Sequence, residues 1–147
     1  MARCAGQPLA PVPLDDQRPQ GRRTVQDAQT YTEIAEVVRT YVEGMCQNDA
    51  AKLCSAMHEK ACSIGHFEGG LEWENREGFI ALVAEAVKEP DLSPWHVINA
   101  ISVVGDVATV QVEDIWLGMH YDDTLTLLRH EGRWQIVSKV FFLRPAG

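Results

Sequence analysis

Asp114 is the residue of this sequence best placed to do acid–base chemistry. It follows Val110 and Val112 at alternate positions of a β-rich run, and Trp116 continues the alternation. Because alternate residues of a strand share a face, Asp114 is predicted to lie among apolar side chains. A carboxylate with little water around it has a raised pKa, which suits a general base. The alternatives are that Asp114 lies in water beyond the rim of the sheet, or that a bulge turns it outward.

His58 and His66 are the other candidate catalytic residues. They flank a short predicted strand at 61–67, and an imidazole can move protons near neutral pH. For His58 the plainer interpretation is a contact at the end of the second helix. For His66 the alternation leaves open whether His66 or Phe67 points inward.

The candidate ligand-binding residues combine aromatic rings with isolated polar groups. Tyr41 lies on the apolar stripe of the first predicted helix, and a buried tyrosine hydroxyl needs a hydrogen-bond partner. Asn99 and Ser138 place polar atoms on a predicted apolar face, where they could hydrogen-bond a ligand. The remaining side chains, which could line a pocket or equally build a plain core, are Trp73, Trp95, Trp116 and Met119.

Other conspicuous residues are predicted to have structural or surface roles. Trp134 is predicted to be a core residue. Asp123 shares parity with Leu125 and Leu127, so it could point at a cavity mouth or simply cap a turn. Rim, turn or outer-face positions are predicted for His96, His120, His130 and Lys139. The sequence contains no nucleophile elbow, phosphate loop or metal-ligand triplet, so no metal site and no cofactor are predicted.

The elements that must position these residues occur in the order helix, helix, β-hairpin, helix and four antiparallel strands. Thr30 and Glu33 have the spacing of a capping box at the start of the first helix, and Asn75 can cap the third. The long strands are predicted at 95–104, 107–116, 124–129 and 134–142, with Gly105-Asp106 as a hairpin turn. Helices segregated from an antiparallel sheet define the α+β class.

Both faces of this sheet are predicted to be covered. If Val104 pairs with Val107, then Asn99 faces Val112 on the same side as Asp114. In the last strand one face is expected to hold Trp134, Ile136, Ser138 and Val140. The opposite set is not cleanly polar, because it holds Ile98, Ala100, Val104, Ile115, Val137 and Phe141. The helices can cover one face, and a second copy of the chain is the simplest cover for the other.

Length and composition favour one soluble globular domain. The chain has 147 residues, of which 46% are hydrophobic and 23% charged. A net charge of −8 argues against nonspecific binding to nucleic acid or anionic membranes, and no apolar run is long enough to span a bilayer. Residues 1–29 hold four of the seven prolines and show no periodicity. They are predicted to form a disordered N-terminal extension to a domain at 30–147.

The cysteines indicate the cellular compartment. Cys4, Cys46, Cys54 and Cys62 lack the spacing of zinc ligands, so they are predicted to be free, mostly buried thiols in a reducing compartment. Three early prolines, at 8, 11 and 13, would break the apolar core of a signal peptide. The protein is therefore predicted to be cytoplasmic.

Several spaced motifs follow one another along residues 31–142. They are Ile34-x-x-Val37-Val38-x-x-Tyr41-x-Glu43-Gly44, Asp49, Met57-His58-x-x-Ala61, Gly105-Asp106-x-Ala108, Asp123-x-Leu125-Thr126-Leu127-Leu128 and Gly132-x-Trp134-x-Ile136-Val137-x-Lys139-Val140-Phe141. Their order resembles the nuclear transport factor 2-like (NTF2-like) superfamily, also called SnoaL-like or cystatin-like, and most closely its "putative lumazine-binding" family. The resemblance implies a cone in which three helices pack on a strongly curved, mixed but mostly antiparallel sheet. It also implies a conical apolar cavity, a homodimer through the outer sheet face, and no metal or organic cofactor.

Three functions follow from this resemblance, because the superfamily hosts both enzymes and non-catalytic binders. The first is a dimer that binds a small, largely apolar molecule. The second is a SnoaL-like isomerase, cyclase or dehydratase with Asp114 or a histidine as general base. The third is a non-catalytic interaction module. The ketosteroid isomerase branch of the superfamily has its carboxylate base on the first short strand. Residues 63–66 of that strand contain no carboxylate, which favours the binder unless His66 substitutes as base.

Overall fold

Three helices pack on one face of a six-stranded mixed sheet. The computed structural model describes residues 26–147. The elements in chain order are α1 Gln26–Gln47, α2 Ala50–Ala56, β1 Met57–Phe67, β2 Gly70–Asn75, α3 Arg76–Ala86, β3 His96–Val104, β4 Val107–Trp116, β5 Met119–His130 and β6 Arg133–Leu143. The predicted α+β architecture is confirmed. Most of the predicted extension at 1–29 lies outside the described residues. The described part of α1 extends N-terminal to Thr30, so the predicted start of this helix is wrong.

The sheet has the strand order β2-β1-β6-β5-β4-β3. Strands β1 and β6 are parallel, and all other neighbours are antiparallel. Tight turns join the last four strands. Leu117 and Gly118 have φ angles of 51° and 76°, and Glu131 and Gly132 have 52° and 74°. Two successive positive φ angles match the right-handed twist of the strands they join, so these turns hold neighbouring strands in register.

Side chains cap two of the helices. Asp49 accepts a hydrogen bond from the backbone N–H of Lys52 (3.1 Å) at the start of α2. Asn75 accepts one from the backbone N–H of Gly78 (2.8 Å) at the start of α3, which confirms the predicted cap. Each cap satisfies a backbone donor that has no partner within its helix.

The core lies between the inner sheet face and the helices. Helix α1 contributes its predicted apolar stripe, including Ile34, Val38, Tyr41, Val42 and Met45. Trp134 is buried, as predicted. Among the described residues, no helix is both long and apolar enough to cross a membrane.

A register shift in β3 changes which of its residues face inward. Val104 pairs with Val107 and Ile101 with Val110, as predicted. The register then shifts between Ile98 and Ala100, so that Ile98 pairs with Val112 in place of Asn99. Asn99 is exposed, and its predicted inward position is wrong because an extra residue in one strand reverses the alternation beyond it.

A second shift changes the inward face of β6. Leu127 pairs with Ile136 but Thr126 pairs with Ser138, which leaves Val137 as the extra residue. Beyond this bulge, Lys139 and Phe141 are buried on the inner face and Val140 is exposed on the outer face. Ser138 is half-buried on the outer face beside Thr126. The predicted inward positions of Ser138 and Val140, and the predicted outward positions of Lys139 and Phe141, are therefore wrong.

The outer sheet face carries exposed apolar side chains at its β2 end. Ile64 pairs with Trp73 on one side and with Val140 on the other. The exposed fractions are 65% for Trp73, 47% for Val140 and 60% for Phe142. A single chain therefore leaves an apolar surface in water. The residues that form this surface are not Val137 and Phe141, which were predicted to lie on the outer face.

Candidate functional site: a buried carboxyl pair beside an aromatic pocket

Asp114 and Asp123 lie on the neighbouring strands β4 and β5. Asp114 pairs with Tyr121 and Asp123 pairs with Val112, so the two aspartates are diagonal neighbours on one face. Each is only 1% exposed. The inward position predicted for Asp114 is confirmed. Strand β5 begins at Met119, five residues before the predicted start, so Asp123 is a strand residue that points inward and not a turn cap.

Three of the four carboxyl oxygens of this pair lack a donor from the protein. The Tyr41 hydroxyl donates a hydrogen bond to Asp123 Oδ2 (2.9 Å). Among the described residues, no group outside the pair donates a hydrogen bond to either oxygen of Asp114 or to Oδ1 of Asp123. Buried carboxylate oxygens without donors are strongly destabilising. A proton held between the two carboxyl groups would satisfy part of this requirement, and a ligand donor or acceptor could satisfy the rest.

Burial is the largest of the causes that together raise the pKa of Asp114 to about 9. The negative charge of Asp123 contributes to this rise, as does the hydrogen bond that a protonated Asp114 can donate to Asp123, whereas the positive charge of Lys139 lowers the pKa. The pKa of Asp114 is therefore raised, in the direction that the sequence predicted. A carboxyl group with this pKa keeps its proton at neutral pH. At that pH, Asp114 can therefore donate a hydrogen bond and act as an acid.

Tyr41 is held in the same environment. Burial, followed by the charges of Asp123 and Asp114, raises the pKa of the Tyr41 hydroxyl well above its ordinary value. Its ring packs against Phe79 with 6.4 Å between centroids. Tyr41 therefore stays neutral and acts as a fixed donor to Asp123, the partner that a buried tyrosine was predicted to need.

Lys139 places a buried amino group in the same region. The residue is 5% exposed. Its Nζ lies 4.3 Å from the ring centroid of Phe79 and 5.4 Å from those of Tyr41 and Phe141. Met45 Sδ is 4.0 Å from Nζ. Within the described residues no carboxylate oxygen lies within 4.0 Å of Nζ, so aromatic faces surround this group in place of an ion-pair partner.

A small pocket lies beside Asp114 and Lys139. Its free volume is about 20 Å³, which is about the space of one water molecule. Asp114 and Lys139 both line it, and its apolar wall comprises Met45, Phe79, Trp116, Tyr121 and Phe141. Half-buried Glu72 and Glu74 of β2 add negative charge, and Leu82 of α3 completes the rim. The charges of Glu72, Asp114 and Asp123, together with burial as the larger cause, raise the pKa of Tyr121 to about 12.

Of the predicted aromatic wall, only Trp116 lines this pocket. Its Nε1–H donates to the backbone carbonyl of Met45 (3.0 Å), which fixes the ring against α1. Met119 pairs with Trp116 across the hairpin but does not line the pocket. Trp73 is exposed on the outer face, and Trp95 is 49% exposed and packs edge-on against His120.

The remaining predicted site residues lie elsewhere. His66 is exposed, and His58 Nδ1 accepts a hydrogen bond from the backbone N–H of Lys60 (3.0 Å), a contact within β1. Asn99 donates to Glu113 on the outer face (2.7 Å), where Ser138 also lies. The structure thus brings together Tyr41, Asp114 and Trp116 and leaves the histidines and the two outer-face polar residues apart from them.

Sequence reasoning gave no site role to Lys139, Glu72 or Glu74. Asp123 could be found from its parity with Leu125 and Leu127, but Lys139 could not, because a bulge sets its direction.

Of the three described cysteines only Cys46 is buried, so the prediction of mostly buried thiols is wrong for these residues. No group of three or more His, Cys, Asp or Glu side chains able to hold a metal ion occurs within residues 26–147.

Comparison with known proteins places the chain in the NTF2-like superfamily. The family described as "Putative lumazine-binding" matches residues 29–142, and the chain belongs to this family. An NTF2-like protein of unknown function from Silicibacter pomeroyi DSS-3 is 40% identical, with 80% of this chain and 98% of that chain covered and a TM-score of 0.77. One from Shewanella baltica OS155, also of unknown function, is 26% identical over 85% and 100% of the chains, with a TM-score of 0.74.

A more distant similarity supports the fold alone. A ketosteroid isomerase-like protein from Erwinia carotovora atroseptica is 11% identical over 78% of this chain and 96% of that chain, with a TM-score of 0.61. No curated protein matches the chain significantly.

Proposed function

We propose that this protein binds a small, largely apolar molecule in the pocket beside Asp114, and that the Asp114 carboxyl group hydrogen-bonds the ligand. The observation that carries the proposal is the carboxyl pair itself, in which three buried oxygens lack protein donors. Of the pair, Asp114 lines the pocket, beside a wall of aromatic side chains. Apolar walls with a few convergent polar groups are typical of ligand sites. The family description, "Putative lumazine-binding", supports the same class of function.

The polar content of the interior argues against a pure interaction module. Tyr41, Asp114, Asp123 and Lys139 are all buried within one region. Ionisable groups of this kind are often less favourable for stability than apolar side chains of the same volume, so a purely structural interior does not need them. The free space is about 20 Å³, so we expect a ligand to displace side chains at the rim, such as Glu74 and Leu82.

We further propose that two copies associate through the outer sheet face. Trp73, Val140 and Phe142 are exposed there, and burying them against a second copy would remove apolar surface from water.

The three described cysteines are free, which supports a reducing compartment and hence the proposed cytoplasmic location.

One observation favours an enzyme as the second candidate function. Asp114 has a pKa of about 9, and a carboxylic acid that stays neutral at pH 7 can donate a hydrogen bond or a proton to a developing oxyanion. An isomerase, cyclase or dehydratase would then use Asp114 as its acid and not, as predicted from the sequence, as its base.

Native mass spectrometry of the freshly purified protein tests the proposed binding. We expect a bound small molecule on the wild-type chain and its loss from Asp114→Ala, whereas Asp106→Ala, in the exposed β3–β4 turn, should keep it. The protein should also be titrated with benzyl alcohol, a small apolar alcohol, while the side-chain NMR signals of Trp116 and Phe79 are followed. No bound molecule and no shift of these signals would contradict the proposal.

A further inference from the structure

We propose that Lys139 captures the carbonyl group of an aldehyde or ketone ligand as a Schiff base inside this pocket. The inference rests on the proposed function, because the carbonyl compound must enter the same site. It adds a covalent step and a ligand class that non-covalent binding does not require.

The first support is the environment of the Lys139 amino group. A lysine buried for structural reasons has a carboxylate partner as a rule. Even Lys52, whose side chain is 37% exposed, has such a partner, with Nζ 2.8 Å from Glu43 Oε2. Lys139 Nζ instead contacts aromatic ring faces and a thioether, within the part of the chain that the structure describes. It has no ion pair to break before it reacts, and lysine amines form Schiff bases with carbonyl compounds.

The second support is that Lys139 lines the pocket together with an acid. Asp114 is a lining residue of the same space and is near enough for the charge of Lys139 to act on it. Schiff-base formation needs an amine that attacks the carbonyl carbon and a group that carries protons to the departing oxygen. The pocket supplies both.

The step balances without any further reactant. The ammonium of Lys139 gives up a proton to solvent water, and the Nζ lone pair forms a bond to the carbonyl carbon while the oxygen takes a proton from Asp114. Asp114 regains a proton from the nitrogen and passes it to the hydroxyl group, whose C–O bond then breaks to release water. A proton from solvent then restores the Asp114 carboxyl group, so the proton first released by Lys139 is returned. The net change is ammonium plus carbonyl to protonated imine plus water, with the charge conserved and no oxidant or reductant consumed.

The pocket also selects among carbonyl compounds. Its wall of Phe79, Trp116, Tyr121 and Phe141 suits an aldehyde or ketone attached to a flat apolar group. Glu72 and Glu74 add negative charge at the rim, which repels an anionic ligand. We therefore expect neutral aromatic aldehydes to be captured in preference to keto acids.

Reductive trapping tests the proposal on the whole protein. The protein is incubated with benzaldehyde and sodium cyanoborohydride near neutral pH, and the modified residues are located by peptide mass mapping. We expect one N-benzyl group per chain at Lys139, formed at least about tenfold faster than at the exposed Lys60 and Lys88. Pyruvate under the same conditions should label Lys139 more slowly than benzaldehyde does.

Two variants and one competitor complete the experiment. Lys139→Met should lose the fast adduct, whereas Lys60→Met should keep it. Excess benzyl alcohol, which cannot form an imine, should slow the labelling of Lys139 in the wild-type chain, a measurement that does not depend on the folding of any variant. Equal labelling of all lysines while benzyl alcohol still shifts the Trp116 and Phe79 signals would overturn the Schiff base and leave the proposed binding intact. Neither labelling nor shifts would overturn both.

Discussion

Asp123 receives the hydroxyl hydrogen bond of Tyr41, a residue 82 positions earlier in the chain, at a distance of 2.9 Å. This contact ties α1 to β5 and, among the described residues, supplies the only donor from outside the Asp114–Asp123 pair. The pair therefore depends on protons to remain stable inside the protein.

Stability should fall as pH rises through the neutral range, because the pKa of Asp114 is about 9 in the folded state against an ordinary 3.8. The stabilisation linked to this proton is fully present below the unfolded pKa and is lost as pH rises through the folded one. Between these two pKa values, the binding of one proton makes the free energy of unfolding fall by about 1.4 kcal/mol per pH unit. Asp114→Asn cannot ionise, so its stability relative to wild type should increase from about pH 5 to about pH 8 in urea unfolding. Asp106→Asn, in an exposed turn, should follow the wild-type slope, and parallel curves for all three proteins would contradict the assignment.

Tyr41→Phe should destabilise the protein by about 1–3 kcal/mol, because it leaves the buried Asp123 carboxyl group without its donor. Tyr31→Phe is the matched control, since Tyr31 lies on the same helix but is 39% exposed. Urea unfolding of both variants at one pH measures the difference. Equal losses of unfolding free energy would mean that the hydrogen bond contributes nothing specific.

Gly65→Ala should disturb the pocket through Phe141. A Cβ atom at position 65 would lie 2.6 Å from the Phe141 ring, whereas one at Gly70 would have its nearest neighbour at 3.6 Å. We expect a loss of about 1–3 kcal/mol for Gly65→Ala in urea unfolding, together with displaced Phe141 ring signals in NMR spectra. Gly70→Ala should leave those signals in place. An unshifted Phe141 ring in Gly65→Ala would show that the close approach is not required.

Val140→Lys should convert a dimer into a monomer, because it places a charge in the exposed apolar surface beside Trp73 and Ile64. Light scattering after size exclusion at micromolar concentration measures the mass. Leu92→Lys, at a loop position that is 81% exposed, should remain dimeric. A wild-type chain that runs as a monomer would refute the proposed association.

The positions of Asp114 and Tyr41 could be predicted because short-range patterns determine them. The Gly105-Asp106 turn fixes the register of β3 against β4, and strand β4 runs from Val107 to Trp116 paired with β5 without a bulge. The period of two therefore carries through to Asp114. Helical spacing likewise places Tyr41 in the core. Caps and turns depend on a few adjacent residues, which is why the Asn75 cap and the order of elements could also be predicted.

Only the tertiary structure decided the directions of Asn99, Ser138 and Lys139. A bulge forms where two strands must curve together against the helices, so its position depends on partners distant in the chain. One extra residue at Val137 moves Lys139 from the outer face to the pocket. Local periodicity in the sequence thus determined the elements and the inward carboxyl group of Asp114, while the spaced motifs carried the resemblance to the family. The pairing of strands in space decided that this carboxyl group would lie beside Asp123 and share a pocket with an amino group, because contacts between distant segments are set by packing and not by local pattern.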